Sequence, residues 1–481
     1  MRSKAIKAGR TLRAFHLFAA VGISCSVFSV SAAEWELAPF VEISETYTDN
    51  LSLKPAGQEE SEYVTQLNPG FRLTGTGRYI DLSLSYRLQN LFYSKKSNRD
   101  NSNHQLLADM NAELLREFFF FDASASLLQR IIDPEGNIGQ GNIAFSGNRR
   151  NVATVTLSPY LKTRIGSWSL AEVRYTQSRV RSLDGTAGDS VADAVSGQFA
   201  NARSLGRWSW QVGFSSRYVQ YTTGLRPDER WKNIDLAADY RFSRKIDVRG
   251  TVGYEDNEYQ RGGGITAPKG AFWNVTVNWH PTPRTNLVVG RGERYFGPAW
   301  NFSLEHRTRR STITGGYTRE LSSRRQYMLD VSAFDQYSDP TLDSVAAAQA
   351  VGPIPVNEVF IRQRVSLGTD FRTLKSKTAL NVYTESRDYQ LSGREEDIIG
   401  SSLSWLWDFN RRDSLTFAMD SRRTNVVGEY FDRLNTLRTS FERKLGRRLT
   451  ATFDARRTAR ERGIGADYTE NLLTARLTLN W

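Results

Sequence analysis

Three histidines stand beyond the first 33 residues: His104, His280 and His306. A histidine beside a serine or an aspartate can drive hydrolysis, and several together can hold zinc. Nothing around these three makes a metal motif, so each reads as an isolated surface or loop residue. Cys25 is the only cysteine, and it sits in a segment expected to be removed. Disulfides, thiolate catalysis and cysteine-bound metals are therefore not expected in the rest of the chain. The glycine-rich RGGGIT at Arg261–Thr266 precedes no helix and reads as a loop, not a phosphate cradle. The acid pairs Glu59–Glu60 and Glu395–Glu396 fall in stretches expected to be loops, where a solvated surface is the default. No enzyme signature survives, and no catalytic, cofactor-binding or metal-binding residue is assigned.

What remains is arginine, which outnumbers lysine about four to one. Its planar donor fork suits carboxylates, phosphates and sugar hydroxyls. Arg87, Arg362, Arg364 and Arg372 stand at alternating positions opposite apolar residues, and so do Arg422, Arg438, Arg456 and Arg476. Asp81, Asp109, Asp122, Asp420 and Asp454 share that parity. The formal charge is +12, but five cations fall within the first 13 residues, leaving +7 (59 basic, 52 acidic). That is too modest a balance to argue for nucleic acid.

The elements that carry these residues are strands. The chain ends NLLTARLTLNW, with Leu473, Ala475, Leu477, Leu479 and Trp481 on one parity and Thr474, Arg476, Thr478 and Asn480 on the other. A period of two marks a β-strand with one apolar and one polar face. It is either the last strand of a soluble sandwich or the closing strand of an outer-membrane barrel. In a barrel, Leu477, Leu479 and Trp481 would form the terminal signal read by the barrel-assembly machinery, with Trp481 in an aromatic belt. At the other end, five cations precede an apolar run from about Phe15 to Val30, and small residues at Ser31 and Ala33 fit cleavage before Glu34. Residues 1–33 are expected to be a signal peptide and 34–481 the exported domain. A retained membrane anchor is the alternative, and GISC at Gly22–Cys25 faintly resembles a lipoprotein site.

Between these ends one unit repeats: alternating strand, short turn, alternating strand. Short turns are expected near Arg78, Arg116, Arg164, Arg207, Arg244, Arg284, Arg324, Lys375, Arg411 and Arg447. Longer polar stretches start at Asp133, Asp256 and Ser338. Short turns at one end and long loops at the other fit a transmembrane barrel. Ten short hairpins with an opening and a closing strand predict an all-β, antiparallel up-and-down barrel of about 22 strands. The Trp300–Arg310 segment, read as one strand plus a loop, leaves 20 to 24 open. The strand pattern begins at Trp35, so no plug or soluble domain is expected. Mean hydropathy is −0.49, as suits a chain in which only alternate residues meet lipid. Aromatic residues gather beside the short turns: Phe118–Phe121, Trp168, Trp208, Trp210, Trp279, Phe409 and Trp481.

In such a barrel the arginines would line the lumen. They would either brace it through salt bridges or favour anionic and hydroxyl-rich solutes. Three stretches sharpen this: YTDNLSLKP at Tyr47–Pro55, LNPGFRLTGTGRYIDLSLSYRLQNLFY at Leu67–Tyr93, and SGNRRNVATVTLSPYLKTRIGSWSLAEVRYTQSRV at Ser146–Val180. They resemble the outer-membrane β-barrel proteins of the PEP-CTERM/exosortase system, which are typically encoded beside exopolysaccharide genes in Gram-negative bacteria. The pattern is carried by Thr48–Asn50, Pro69–Gly70, Gly147–Arg149 and Ser158–Tyr160. The resemblance implies an outer-membrane barrel, not an enzyme, tied to exopolysaccharide or surface export. Its implied partners are outer-membrane lipid and lipopolysaccharide, the assembly machinery and export components. A structural or adhesive barrel acting through its loops is the alternative.

Overall fold

The computed structural model describes residues 34–133, 135–139, 142–184, 189–201, 206–222, 226–263, 268–329 and 356–481. The segment read as a signal peptide and the long stretch from Ser338 to 355 lie outside the described residues. Twenty-two strands follow one another in chain order. They are β1 (Glu34–Thr48), β2 (Glu62–Thr76), β3 (Ile80–Tyr93), β4 (Asn101–Leu115), β5 (Phe119–Ile131), β6 (Arg149–Ile165) and β7 (Ser169–Ser182). Next come β8 (Ser190–Asn201), β9 (Trp208–Tyr221), β10 (Glu229–Arg241), β11 (Ile246–Glu258), β12 (Lys269–Thr282), β13 (Thr285–Arg294), β14 (Gly297–Arg307) and β15 (Ser311–Ser323). After a short helix α1 (Arg324–Leu329) lie β16 (Val359–Arg372), β17 (Ser376–Tyr389), β18 (Glu395–Asp408), β19 (Asp413–Val426), β20 (Tyr430–Lys444), β21 (Leu449–Arg462) and β22 (Tyr468–Asn480).

Each strand pairs antiparallel with its chain neighbours, and β1 pairs with β22 from Phe40↔Asn480 to Thr48↔Leu472, which closes the barrel. Alternation then sorts every side chain in or out. On β12, Trp273, Val275, Val277 and Trp279 point outward and exposed, while Phe272, Asn274, Thr276 and Asn278 between them face the interior. On β1, Ile43 is exposed whereas Glu42, Ser44 and Thr46 are buried inside. An apolar outside and a polar inside is the arrangement of a β-barrel of the outer-membrane type. Among the described residues no helix is long and apolar enough to cross a membrane.

The turns explain both an agreement and an error. At Thr308, Oγ1 accepts from the backbone N–H of Arg310 (3.3 Å) and Ser311 (2.9 Å). Thr373 does the same for Lys375 and Ser376, and Asn410 for Arg412 and Asp413. A hydroxyl or amide followed two residues later by a basic residue and then a small polar one closes these turns through side-chain hydrogen bonds. The sequence TRRS at Thr308–Ser311 has that form; in SSRR at Ser322–Arg325 the Ser322 hydroxyl and the Ser323 N–H instead donate to Gln326 Oε1, at 3.0 Å each, which starts a helix. The turn expected at Arg324 is therefore not one: β15 ends there at the opposite rim and α1 begins. The tenth short turn is Thr308–Arg310, and Gly297–Arg307 is a strand of its own after a tight Tyr295–Phe296 connection. One turn missed and one added leave the strand number at 22.

Two further expectations are corrected. Glu395 and Glu396 lie on β18 rather than in a loop, because the alternation of Glu396, Ile398 and Gly400 continues inward to the rim. Phe120 does not join an outer belt: it faces inward and stacks on Tyr160 with ring centroids 5.0 Å apart. Trp168, Trp208, Trp279 and Trp481 are exposed on the outer face near the short turns.

The in–out assignment has a direct test. Val365 faces outward near the middle of β16 and Ser366 faces inward. In lipid vesicles Val365→Arg should lower unfolding stability by about 2–4 kcal/mol. Ser366→Arg should cost about 0.5 kcal/mol or less. Urea titration of the refolded barrel reads both.

Candidate functional site

The densest chemistry on the interior wall centres on one carboxylate. Glu385 of β17 accepts from Arg362 Nε (2.9 Å) and a terminal nitrogen of Arg364 (3.0 Å) on one oxygen, and from Arg387 Nε (2.7 Å) on the other. Arg387 also lies 3.5 Å from Glu396 of β18, whose second oxygen pairs with Arg394 at 3.1 Å. Tyr327 of α1 leans over this group, with the guanidinium carbons of Arg362 and Arg387 5.7 and 5.5 Å from its ring centroid. Arg364 lies 4.0 Å over Tyr383. Four guanidinium groups thus share Glu385 and Glu396, with Glu320 3.3 Å from Arg362.

A second group runs over β19–β22 and across the seam to β1 and β3. Arg438 pairs with Asp454, and Arg456 lies 3.7 Å from the same carboxylate. Arg476 and Arg87 flank Glu42 at 3.6 and 4.0 Å, and Asn68 donates to Glu42 at 2.8 Å. Arg460 grips Asp432 through two bonds of 2.7 and 3.0 Å. Arg422 faces the interior from β19, opposite Gly400 and Leu434. Arg372 shares the parity of Arg362 and Arg364, but it is exposed at the short-turn rim beside Lys377. At about 3.4 Å per residue it stands roughly 27 Å from Arg364, outside the cluster. Leu477 and Leu479 face outward on β22, and the backbone N–H of Trp481 donates to Pro39 at 3.0 Å.

Glu385, Arg387, Arg394 and Arg460 were not singled out from sequence. A signal was there for two of them: Glu385 and Arg387 alternate with Leu380, Val382 and Thr384, so both share the inward face. What sequence does not carry is which strand's acid meets which strand's arginine, since that depends on the register of neighbouring strands. The histidines do not assemble. His104 meets the hydroxyl of Tyr86 at 2.8 Å and His306 that of Thr285 at 2.9 Å, on separate strands. No cluster able to hold a metal ion is found among the described residues.

The loops at the far rim cross the mouth. In the 132–148 loop, the carbonyl of Ile138 accepts from Tyr468 Oη (2.8 Å) and that of Gly136 from Arg460 (2.6 Å). Asn142 of the same loop donates to Gln89 and Gln129 on the inner wall. Its Glu135 pairs with Arg394, between β17 and β18, at 2.8 Å. That hydrogen bond holds the Glu135 carboxyl below its ordinary range, against partial burial. From the other side α1 extends to β7 and β8, where Arg325 donates to Ser178 and Ser190, and Arg324 donates to the carbonyl of Ile132 at 2.7 Å. Two straps therefore meet inside the rim.

Glu385 and Arg387 are 2% and 1% exposed, so removing the shared carboxylate strands buried cations. Glu385→Gln should destabilise the barrel by about 3 kcal/mol, read as a lower urea midpoint. An unchanged midpoint would show that the arginines are solvated and brace nothing.

No protein-family model matches the chain, and no curated protein does. Among solved structures the chain is similar to the FrpB iron transporter of Neisseria meningitidis, at 9% identity over 94% of this chain and 83% of that one, with a TM-score of 0.54. It is also similar to the siderophore receptor PirA of Acinetobacter baumannii, at 8% identity over 92% and 80% of the two chains, with a TM-score of 0.51. At such identities the likeness is one of fold: a closed, antiparallel 22-strand barrel.

Proposed function

We propose that the chain, exported by a signal in residues 1–33 and inserted through its terminal strand, is an outer-membrane conduit for a hydroxyl-rich, acidic polymer of the exopolysaccharide class. The observation that supports this most is the guanidinium cluster on β16–β18, where four arginines share the carboxylates of Glu385 and Glu396 on an inward wall. Arg362, Arg364 and Arg394 spend some donors on those acids and keep others for a passing carboxylate or hydroxyl, while Arg387 is buried beneath them. Within the cluster Glu385, Glu396, Glu320 and Glu135 offset the four cations, and a mild cationic excess comes from the β19–β22 group, a balance that suits passage better than capture. The resemblance to exosortase-system barrels supports the polymer class. Lipopolysaccharide around the outer rim, the assembly machinery and export components are the partners of this reading, and it includes no catalytic step.

A second reading has its own support. The straps across the mouth suit a structural or adhesive barrel that works through its loops. Planar-bilayer recordings separate the two. On the conduit reading the purified barrel conducts with a mild preference for anions, and polygalacturonate reduces the current. Arg362→Ala/Arg364→Ala should weaken both effects, while Arg372→Ala at the rim should leave the polymer effect intact. Absence of conduction under all conditions would reject the conduit and favour the structural reading.

A further inference from the structure

On the strands that lead up to the arginine cluster the wall changes character. Over the middle of β11–β15 the inward residues include Thr251, Gly253, Asn274, Gly290, Gly292 and Thr314, none of them charged. The glycines are required by what crosses them. A Cβ on Gly253 would meet the carbonyl of Ile234 and the Phe272 ring at 2.5 Å, and one on Gly290 would overlap the Asn301 amide. The β14–β15 ladder, moreover, stops at Phe302↔Tyr317. Beyond it Arg319 reaches across to the carbonyl of Pro298 at 2.7 Å in place of backbone pairing. Where the ladder is interrupted, between Ala299 and Glu320–Leu321, the wall of β9–β15 opens into a recess of about 550 Å³ in the loop-side half of the lumen.

The lining of this recess defines a ligand chemistry. Phe272 supplies an aromatic face and Trp231 an aromatic edge, since the Trp231 ring stacks on Tyr259 at 5.3 Å and carries the Arg217 guanidinium 5.3 Å from its centroid. Asn233, Asp235 and Asn274 supply amide and carboxylate groups, with Asn233 donating to Asp235 at 3.0 Å. Arg294 is neutralised by Glu255, to which its Nε donates at 3.1 Å. The buried Nε of Arg217, another lining group, has no hydrogen-bond acceptor among the described residues. Arg217, Arg294, Asp235, Glu255 and Glu320 nearly cancel in charge. The size falls within the roughly 300–1,000 Å³ usual for ligand sites. Paired donors and acceptors beside apolar ring faces match the alternating hydroxyl and C–H faces of a sugar ring.

We propose that this recess is a binding subsite for neutral pyranose units, separate from the arginine wall that faces acidic groups. The inference deepens the conduit reading and rests on it for the identity of the polymer, while binding itself can be measured without transport. The experiment is titration calorimetry of the folded barrel in an amine-oxide detergent, because a maltoside detergent would compete. The probes are maltohexaose, cellohexaose and a hexameric galacturonate. A neutral hexaose should bind wild type more tightly than the galacturonate. Asp235→Ala/Asn274→Ala should weaken it at least tenfold, and Thr251→Trp, which fills the recess from β11, should abolish it. Arg456→Ala/Arg476→Ala, on β21 and β22 across the lumen, should leave it unchanged, with circular dichroism and heat-modifiable migration verifying that every variant is folded. No binding by either neutral hexaose overturns the proposal, as does binding that survives both recess variants or that favours the galacturonate. Retained hexaose binding in a barrel that does not conduct supports the subsite and removes the conduit.

Discussion

Backbone hydrogen bonding closed on itself is the constraint from which the other features follow. In hydrocarbon an unpaired N–H or C=O costs several kcal/mol, so a spanning sheet must leave no edge. The pairing of β1 with β22 meets that requirement, and it fixes in and out for every residue on 22 strands. Once the ring is closed, a one-residue slip anywhere would move a whole strand's arginines into lipid. The pattern of side chains and the pattern of backbone bonds therefore enforce each other.

Closure also accounts for how charge is managed. Inside the barrel arginines sit beside carboxylates of the same or a neighbouring strand: Arg362, Arg364 and Arg387 around Glu385, Arg438 and Arg456 at Asp454, Arg460 at Asp432. Pairing on this scale holds a wide ring in shape, with Arg387, Arg438 and Arg460 buried and donors of Arg362 and Arg364 left toward the lumen. Beside the β16–β18 cluster, the wall of β9–β15 holds a nearly neutral recess. The loops at one rim are tied across the lumen by Glu135–Arg394 and by Arg324 to Ile132.

Much of the fold was legible because a period of two is a local signal. Strand identity, parity and strand number could be read from residues such as Leu473–Trp481, and nine of the ten expected short turns coincide with those in the structure. The exception at Arg324 arose from treating a basic residue as the turn marker. Thr308 Oγ1 closes its turn by accepting from the Ser311 N–H, whereas Ser322 Oγ donates to Gln326 in the first turn of α1. The site was legible only in part. Inward placement of Arg362 and Arg364 follows from alternation, but their partner Glu385 depends on register. The straps depend on contacts between residues hundreds of positions apart, such as Tyr468 with Ile138, and the recess on where the β14–β15 ladder stops; no local pattern encodes either.

The central claim is a hydrated lumen bounded by an alternating wall, and cysteine accessibility tests it most directly. Cys25 is the sole cysteine, so a Cys25→Ser background allows single substitutions at successive positions of β12 and β16. A charged, membrane-impermeant thiol reagent applied to the barrel in vesicles should modify cysteines at Asn274, Thr276, Ser366 and Gly368. It should spare those at Val275, Val277, Val365 and Leu367. Equal labelling of both sets, or labelling of the second set alone, would contradict the account.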